Sequence, residues 1–203
     1  MQSKILSPGS LFTVVLTGLL LAACSSFAAP EITATGPATS TLSAVPTVVP
    51  TPGRPDWFAI PLTDARTGET FTINDFAGKV VLIQTIAQWC SNCAYQQEEV
   101  RTLSKLLLLD DPDGLVPISL DVDAQEDQAS LKKYADHFGF DWHFAVAPLE
   151  VERALGNLYS AEYLNPPLEP MLFIDRSGSV YGLPNGLKTA QQLRNTLAPY
   201  LNP

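Results

Sequence analysis

The chain is poor in metal-binding and basic residues. Its 203 residues include three cysteines, two histidines and 12 lysines and arginines, against 21 aspartates and glutamates. The formal net charge of −9 argues against nucleic acid as a partner, because nucleic-acid binding requires basic patches. It argues equally against electrostatic adhesion to anionic lipids, so that any membrane attachment has to be covalent.

Long apolar runs are scarce as well, and the N-terminal run, 11–23, is shorter than the roughly 18–20 residues that span a bilayer. It follows Lys4 and ends in Leu-Ala-Ala before Cys24. A basic residue, a short apolar segment and small residues before a cleavage site predict a secretory signal over 1–23. The sequence resembles a bacterial lipobox, which implies that the signal is removed and that Cys24 is lipidated. An uncleaved anchor, or an ordinary signal with a chance cysteine, stays open, and each also places the rest of the chain outside the cytoplasm.

The next segment, 24–54, consists mainly of alanine, threonine, serine and proline, with Glu31 and Arg54 as its charged residues. It has too little large apolar surface to offset the entropy of ordering, so we predict a disordered linker that acts as a spacer. The remainder, 55–203, has the size of a single domain.

Apolar periodicity predicts alternating strands and helices in this domain. A strand entry at 57–62 and a strand at 70–73 flank a glycine-containing turn at 65–69, which reads as a hairpin. The segments that follow are a buried strand at 80–87, a helix at 91–109, a strand at 115–122, a helix that ends near Gly139, a strand at 144–146, a helix at 149–159, a hairpin of strands at 171–175 and 179–181, and a helix at 189–200. The alternation predicts an α/β sandwich.

The most informative motif is the Trp-Cys-Ser-Asn-Cys sequence at 89–93, which lies between the buried strand and a helix. Two cysteines separated by two residues form and break a disulfide at little geometric cost. The first sulfur, that of Cys90, lies at a helix N-terminus, where unpaired N–H groups and the helix dipole favour the thiolate. The thiolate is the form that attacks disulfides.

With this motif in place, the chain resembles the thioredoxin superfamily and, within it, the membrane-tethered TlpA/ResA-like branch. The resemblance rests on 76–83, on 87–93, and on Glu-Pro-Met-Leu-Phe-Ile-Asp-Arg-Ser-Gly at 169–178, which is similar to the family's cis-proline strand and hairpin. It covers about 57 to the C-terminus and implies a thioredoxin-like sandwich, a central mixed β-sheet flanked by helices. It also implies that Glu169–Pro170 is a cis bond beside the cysteines.

Several positions depart from the family pattern. Asn92 stands directly before the second cysteine, where many relatives have a proline. Gln96 stands where the TlpA/ResA-like branch often has a glutamate, and Gln84 stands where thioredoxins have a buried acid. Glu169 precedes the proline where relatives have an apolar or hydroxyl residue. These changes are compatible with the family's fold and class of reaction. The redox potential, the direction of electron flow and the partner protein cannot be inferred from the family.

Four other functions compete with redox exchange. A structural disulfide between Cys90 and Cys93 would close a very small loop and stabilise little. A zinc site needs about four ligands, and His137 and His143, which could join the cysteines, fall in segments that read as ordinary helix and strand.

A copper(I) carrier needs fewer, soft ligands, but the copper-chaperone branch has a wider cysteine spacing and a later histidine. A peroxiredoxin-like peroxidase carries a threonine three residues before its cysteine, where this chain has Ala87.

We therefore predict an extracytoplasmic, lipid-anchored thiol–disulfide oxidoreductase. Cys90 is the attacking and Cys93 the resolving thiol, Trp89 shapes the exposed rim or serves packing, and Pro170 presents a backbone edge to a partner. Glu169 either approaches Cys90 and disfavours its thiolate, or points into solvent. We expect a monomer without a cofactor or metal that exchanges with protein thiols and disulfides. As a reductase it would need electrons delivered through the membrane.

Overall fold

The computed structural model describes residues 47–49, 54–107 and 114–201. Most of the strands belong to one six-stranded sheet of order β1-β8-β7-β4-β5-β6. The strands are β1 (Thr47–Val49), β2 (Leu62–Thr63), β3 (Thr70–Phe71), β4 (Val80–Ile86), β5 (Leu115–Asp121), β6 (His143–Val146), β7 (Met171–Ile174) and β8 (Val180–Gly182). The helices are α1 (Ser91–Leu107), α2 (Gln128–Phe138), α3 (Leu149–Leu158) and α4 (Ala190–Leu201).

The sheet is mixed because its strands are joined by two kinds of connection. β4, β5 and β6 run parallel, and helices α1 and α2 connect them, as parallel neighbours require. β7 is antiparallel to β4, and the hairpin of β7 and β8 adds one strand further out. The central strand β4 is buried along its whole length, as expected for a strand covered on both faces.

Side chains alternate between two cores across the sheet. Leu82 and Ile86 pack into a core that contains residues of α1, α2 and α4. Val81 and Ile83 point to the other face, against α3 and short 3₁₀ turns near the start of the domain. The alternation follows from the period of two along a strand, and it confirms an α/β sandwich with a central mixed sheet flanked by helices.

Helix ends follow local sequence signals. Gly139 ends α2 with a φ of 67°, a left-handed conformation that glycine adopts without steric cost. At the start of α4, the Thr189 hydroxyl accepts from the Gln192 N–H and the Gln192 side chain accepts from the Thr189 N–H. This reciprocal pair is the capping box that the spacing predicts.

Two parts of the domain differ from the prediction. The expected strand at 57–62 is a 3₁₀ helix, Asp56–Ala59, followed by the two-residue strand β2, because Trp57 and Phe58 both turn into the core. Strand β1 lies inside the segment predicted to be a linker and pairs with β8. The predicted signal, Cys24 and the expected turn at 110–113 lie outside the described residues.

Candidate redox site

Cys90 lies where β4 passes into α1. The strand ends at Ile86, and the helix begins at Ser91, so that Cys90 occupies the N-cap position. The Cys93 N–H lies 3.2 Å from Cys90 Sγ and points to it, as an N-cap acceptor requires. The backbone therefore supplies a hydrogen-bond donor to the sulfur that would carry negative charge after reduction.

Cys90 and Cys93 form a disulfide, with their Cα atoms 5.2 Å apart. Cys90 is 4 % exposed and Cys93 is fully buried, so that Cys90 is the sulfur nearer to solvent. On the inner side, the Pro166 carbonyl oxygen lies 3.4 Å from Cys93 Sγ. In the reduced protein this oxygen can accept the Cys93 S–H, and a hydrogen bond to the neutral form of a group disfavours its ionisation.

The segment that brings Pro166 to the cysteines was not predicted from sequence. It consists of two 3₁₀ turns, Ala161–Leu164 and Pro166–Leu168, between α3 and β7. The Glu169 N–H donates to the Pro166 carbonyl oxygen over 2.9 Å and closes the second turn. A Pro-Pro pair inside an aperiodic segment was the available signal, because proline is common at the first helical position.

The expected cis bond at Glu169–Pro170 is wrong, because the described residues contain no cis peptide bond. The chain instead changes direction at Glu169, which has a left-handed φ of 47°. Pro170 then enters β7, and its carbonyl oxygen accepts the Thr85 N–H over 3.3 Å. The prolyl carbonyl in contact with the disulfide is that of Pro166.

Glu169 is 4 % exposed, so that the solvent-facing orientation is wrong. Its Oε1 has no hydrogen-bond partner among the described residues, whereas its backbone oxygen accepts from Lys188 Nζ over 3.0 Å. Burial lowers the pKa of Lys188 to about 8, although the charge of Glu169 opposes this shift. Gln96 holds the same loop, because its side chain accepts from the Lys188 N–H and donates to the Lys188 carbonyl oxygen.

Trp89, the residue before Cys90, forms one wall of a cleft. The indole is 62 % exposed, which excludes a role in core packing, and its Nε1–H donates to Asp123 Oδ2 over 2.7 Å. The cleft has a volume of about 230 Å³. Its lining comes from both sides of the site: Ala87, Trp89, Val122, Asp123, Ala124, Leu164, Asn165, Pro166 and Pro167. An extended peptide segment could lie here against an aromatic ring and two prolines.

Neither histidine joins the cysteines. His143 Nδ1 lies 2.9 Å from Asp64 Oδ2, and its ring packs against Phe71 and Phe76. His137 lies on α2 and packs against Phe138. Within the part of the chain that the structure describes, no three His, Cys, Asp or Glu residues are arranged to hold a metal ion.

The same described residues contain no helix with the length and apolar character needed to cross a membrane.

The sequence matches no protein-family model and no curated protein sequence. Its fold is similar to solved structures of thiol–disulfide proteins. One is a thioredoxin-family thiol:disulfide interchange protein from Chlorobium tepidum, with 19 % identity and a TM-score of 0.56 over 78 % of this chain and 99 % of that one. Another is a secreted thiol-disulfide isomerase from Corynebacterium glutamicum, with 15 % identity and a TM-score of 0.58 over 71 % and 84 %.

A third similar structure is BsSco, a Sco-family cytochrome c oxidase assembly protein with a disulfide switch. It shows 17 % identity and a TM-score of 0.56 over 70 % of this chain and 91 % of that one. The three similarities extend over most of the described domain. Together with the sheet order and the disulfide at the start of α1, they show that the fold is thioredoxin-like.

Proposed function

We propose that this protein is an extracytoplasmic thiol–disulfide oxidoreductase that exchanges disulfides with partner proteins through Cys90 and Cys93. The observation that carries the proposal is the disulfide at the N-terminus of α1, with an N–H donor aimed at Cys90 and a carbonyl oxygen beside Cys93. The N–H donor favours the thiolate form of Cys90, whereas the carbonyl oxygen favours the thiol form of Cys93.

The reaction divides into two exchanges. The Cys90 thiolate attacks one sulfur of a partner disulfide, which forms a mixed disulfide and releases the other partner sulfur as a thiolate. Cys93 then loses its proton and attacks Cys90 Sγ, which re-forms the Cys90–Cys93 bond and releases the second partner thiolate. Two electrons pass from the protein to the partner, and the reverse sequence oxidises a partner dithiol.

The cleft beside Trp89 supports exchange with a polypeptide partner. Trp89, Pro166 and Pro167 all line it, so that an aromatic ring and two prolines are available to an extended segment. In this proposal Pro170 fixes the start of β7 through its bond to Thr85, and the buried Glu169 sets the local charge together with Lys188. Trp89 binds the partner on the exposed side.

The proposed location rests on the N-terminal sequence. Lipidation of Cys24 would tether the domain to the outer side of a bacterial membrane through the segment 24–54. A disulfide persists in that compartment, because extracytoplasmic environments are oxidising. The similar thiol-disulfide isomerase from Corynebacterium glutamicum is a secreted protein, which supports the same setting.

Cysteine replacement tests the mechanism. Cys90→Ser should abolish reduction of a protein disulfide, whereas Cys93→Ser should accumulate mixed disulfides, because nothing remains to resolve them. Cys24→Ser is the matched control: it removes the third cysteine and should leave the turnover of the purified protein unchanged. Normal turnover by Cys90→Ser contradicts the proposal.

An anaerobic titration with copper(I) separates exchange from metal carriage. The proposal expects turnover with dithiothreitol and a protein disulfide, and no stoichiometric copper complex at micromolar concentrations. Tight one-to-one copper binding without disulfide turnover would contradict the proposed oxidoreductase function and would indicate a copper carrier.

A further inference from the structure

Strand β1 forms the outer edge of the six-stranded sheet, although it belongs to the segment that precedes the domain. It runs antiparallel to β8, with Thr47 opposite Gly182. In the sequence it lies between Cys24, the proposed site of lipidation, and Arg54, at the start of the domain. The position of β1 therefore decides from which end of the domain the chain leaves towards Cys24.

The chain leaves β1 on the side of the disulfide. Across β8 and β7, the register places Thr47 at the level of Ile83 on β4. From there β4 continues to Ile86, and the chain passes to Cys90; we call this end of the sheet the redox end. With about 4.8 Å between strands and about 3.3 Å per residue, Thr47 lies roughly 17 Å from the end of β4.

Arg54 lies at the opposite end of the sheet. A Cβ atom at Gly178, in the turn between β7 and β8, would lie 3.1 Å from Arg54 Cγ. Arg54 Nε also donates to Asn74 Oδ1 over 2.8 Å. The turn lies beyond the start of β4, because Ile174 pairs with Val81. Arg54 is therefore roughly 25 Å from the redox end, on the same strand dimensions.

Backbone hydrogen bonds hold β1 against β8. Antiparallel strands bond on each side through alternate residues. β8 bonds to β7 through Ser179 and Leu183. The even-numbered residues of β8 therefore point their N–H and carbonyl groups to β1, so that Val49 bonds to Val180. Val48 lies between the bonded positions of β1, and its N–H points to the open edge of the sheet.

The distance to the anchor is short enough for the point of exit to matter. A flexible chain from Cys24 to Thr47 spans about 26 Å on average, which is comparable with the distance from Thr47 to the redox end. If β1 were detached, the free chain would extend to Arg54 and span about 30 Å on average. It would then join the domain at the end remote from Cys90.

We propose that β1 is a strap that makes the chain leave the domain at its redox end, so that Cys90 faces the membrane and exchanges with partner thiols and disulfides close to the lipid headgroups. This inference rests on the proposed function and its lipid anchor, whereas the pairing of β1 with β8 does not. Detaching β1 lengthens the mean distance from the anchor to the redox end from about 31 to about 40 Å. The effective concentration of Cys90 at the headgroups then falls about twofold, since it varies with the inverse cube of distance.

The orientation is tested with one disulfide in two settings. The chain is anchored through Cys24 on phosphatidylcholine vesicles, by its own lipid or by a maleimide lipid coupled while Cys90 and Cys93 are oxidised. After reduction, it reacts with a pyridyl disulfide carried on a lipid headgroup, or with the same headgroup free in solution. Cys90 forms the mixed disulfide and releases pyridine-2-thione, which is followed by absorbance, and Cys93 then releases the headgroup thiolate. The ratio of the two rates cancels the reactivity of Cys90.

Two proline variants separate the strap from other effects of the substitution. Val49→Pro removes an N–H that bonds to β8, so that β1 should detach. Val48→Pro is the matched control, because its N–H points to the open edge. Amide exchange of Gly182 should accelerate about tenfold or more in Val49→Pro and stay unchanged in Val48→Pro. The ratio of headgroup rate to solution rate should fall at least twofold in Val49→Pro alone.

The possible failures are distinct. Equal Gly182 exchange in Val49→Pro and the natural protein would overturn the strap. Faster Gly182 exchange with an unchanged rate ratio would overturn the orientation towards the membrane. If the natural protein failed to react with the disulfide in solution, the proposed function would fail and with it the exchange at the headgroups, while Gly182 exchange would still report on the strap.

Discussion

The contrast between Cys90 and Cys93 gives a quantitative prediction for two single-cysteine variants, Cys93→Ala and Cys90→Ala, each with Cys24→Ser. In the first, the backbone N–H of residue 93 and the N-terminus of the 17-residue helix α1 still face Cys90 Sγ. A hydrogen bond to a charged acceptor contributes about 1.5–3 kcal/mol, and a helix N-terminus about 0.3–1 kcal/mol.

Burial of Cys90 opposes these contributions, so we take a net stabilisation of the thiolate of about 2 kcal/mol. This corresponds to a roughly 30-fold change in the ratio of thiolate to thiol, since 1.36 kcal/mol is tenfold. A cysteine in an unfolded chain titrates near 8.5 and is about 3 % thiolate at pH 7. Folded Cys93→Ala should therefore be about half thiolate at that pH.

Thiolate absorbance at 240 nm measures this fraction, and the same variant unfolded in urea gives the reference. In Cys90→Ala, the Pro166 carbonyl oxygen faces the remaining Cys93 thiol, and the folded protein should contain less thiolate than its unfolded reference. Equal thiolate fractions in the two folded variants, or a larger fraction in Cys90→Ala, would refute the assignment of attacking and resolving roles.

Three further results are expected. Gly182→Ala should lower the free energy of unfolding by about 1–3 kcal/mol, because the added Cβ would lie 2.7 Å from the Tyr163 hydroxyl oxygen. Denaturant unfolding measures this loss, and the additional substitution Tyr163→Phe should recover part of it. Glu169→Gln should move the midpoint of Cys90 alkylation to lower pH, most clearly at low salt, and an unchanged midpoint would remove Glu169 from the site. Mass spectrometry of the membrane fraction should find a protein that begins at a lipidated Cys24; an intact Met1 or an unmodified Cys24 would contradict the lipobox.

Stability should also depend on pH through Glu126. Burial raises its pKa to about 7 in the folded protein, whereas the unfolded chain has the pKa of an ordinary glutamate, so the folded state binds the proton more tightly between these values. Stability contributed by this group is therefore present at low pH and is lost as the pH rises towards 7. The difference between the denaturant midpoints at pH 5 and pH 7.5 should be smaller in Glu126→Gln than in the natural protein. An equal difference in the two proteins would contradict the raised pKa of Glu126.

Most of the sheet and the cysteine pair could be predicted because their signals are local. A continuous β-branched run predicts β4, and the helical period after Ser91 predicts α1. The position of Cys90 at the N-cap follows from the junction of these two elements. The Arg-Ser-Gly turn likewise predicts the hairpin of β7 and β8.

The inner wall of the site depends on tertiary contacts and has no such signal. Two 3₁₀ turns carry Pro166 to Cys93, and their few residues show no period. The conformation of Glu169 could not be predicted either, because a left-handed φ is uncommon for glutamate and depends on surrounding structure. The hydrogen bonds of Gln88 join residues 33 to 42 positions apart, which a single sequence does not reveal.

The reduction potential of the Cys90–Cys93 pair tests the central claim most directly. Equilibration of the purified domain with dithiothreitol or glutathione buffers, followed by alkylation and mass analysis, gives the oxidised fraction at each potential. We predict a reversible two-electron transition within the range of exchange proteins, about −270 to −120 mV. A bond that stays oxidised below about −300 mV would identify a structural disulfide and contradict the account.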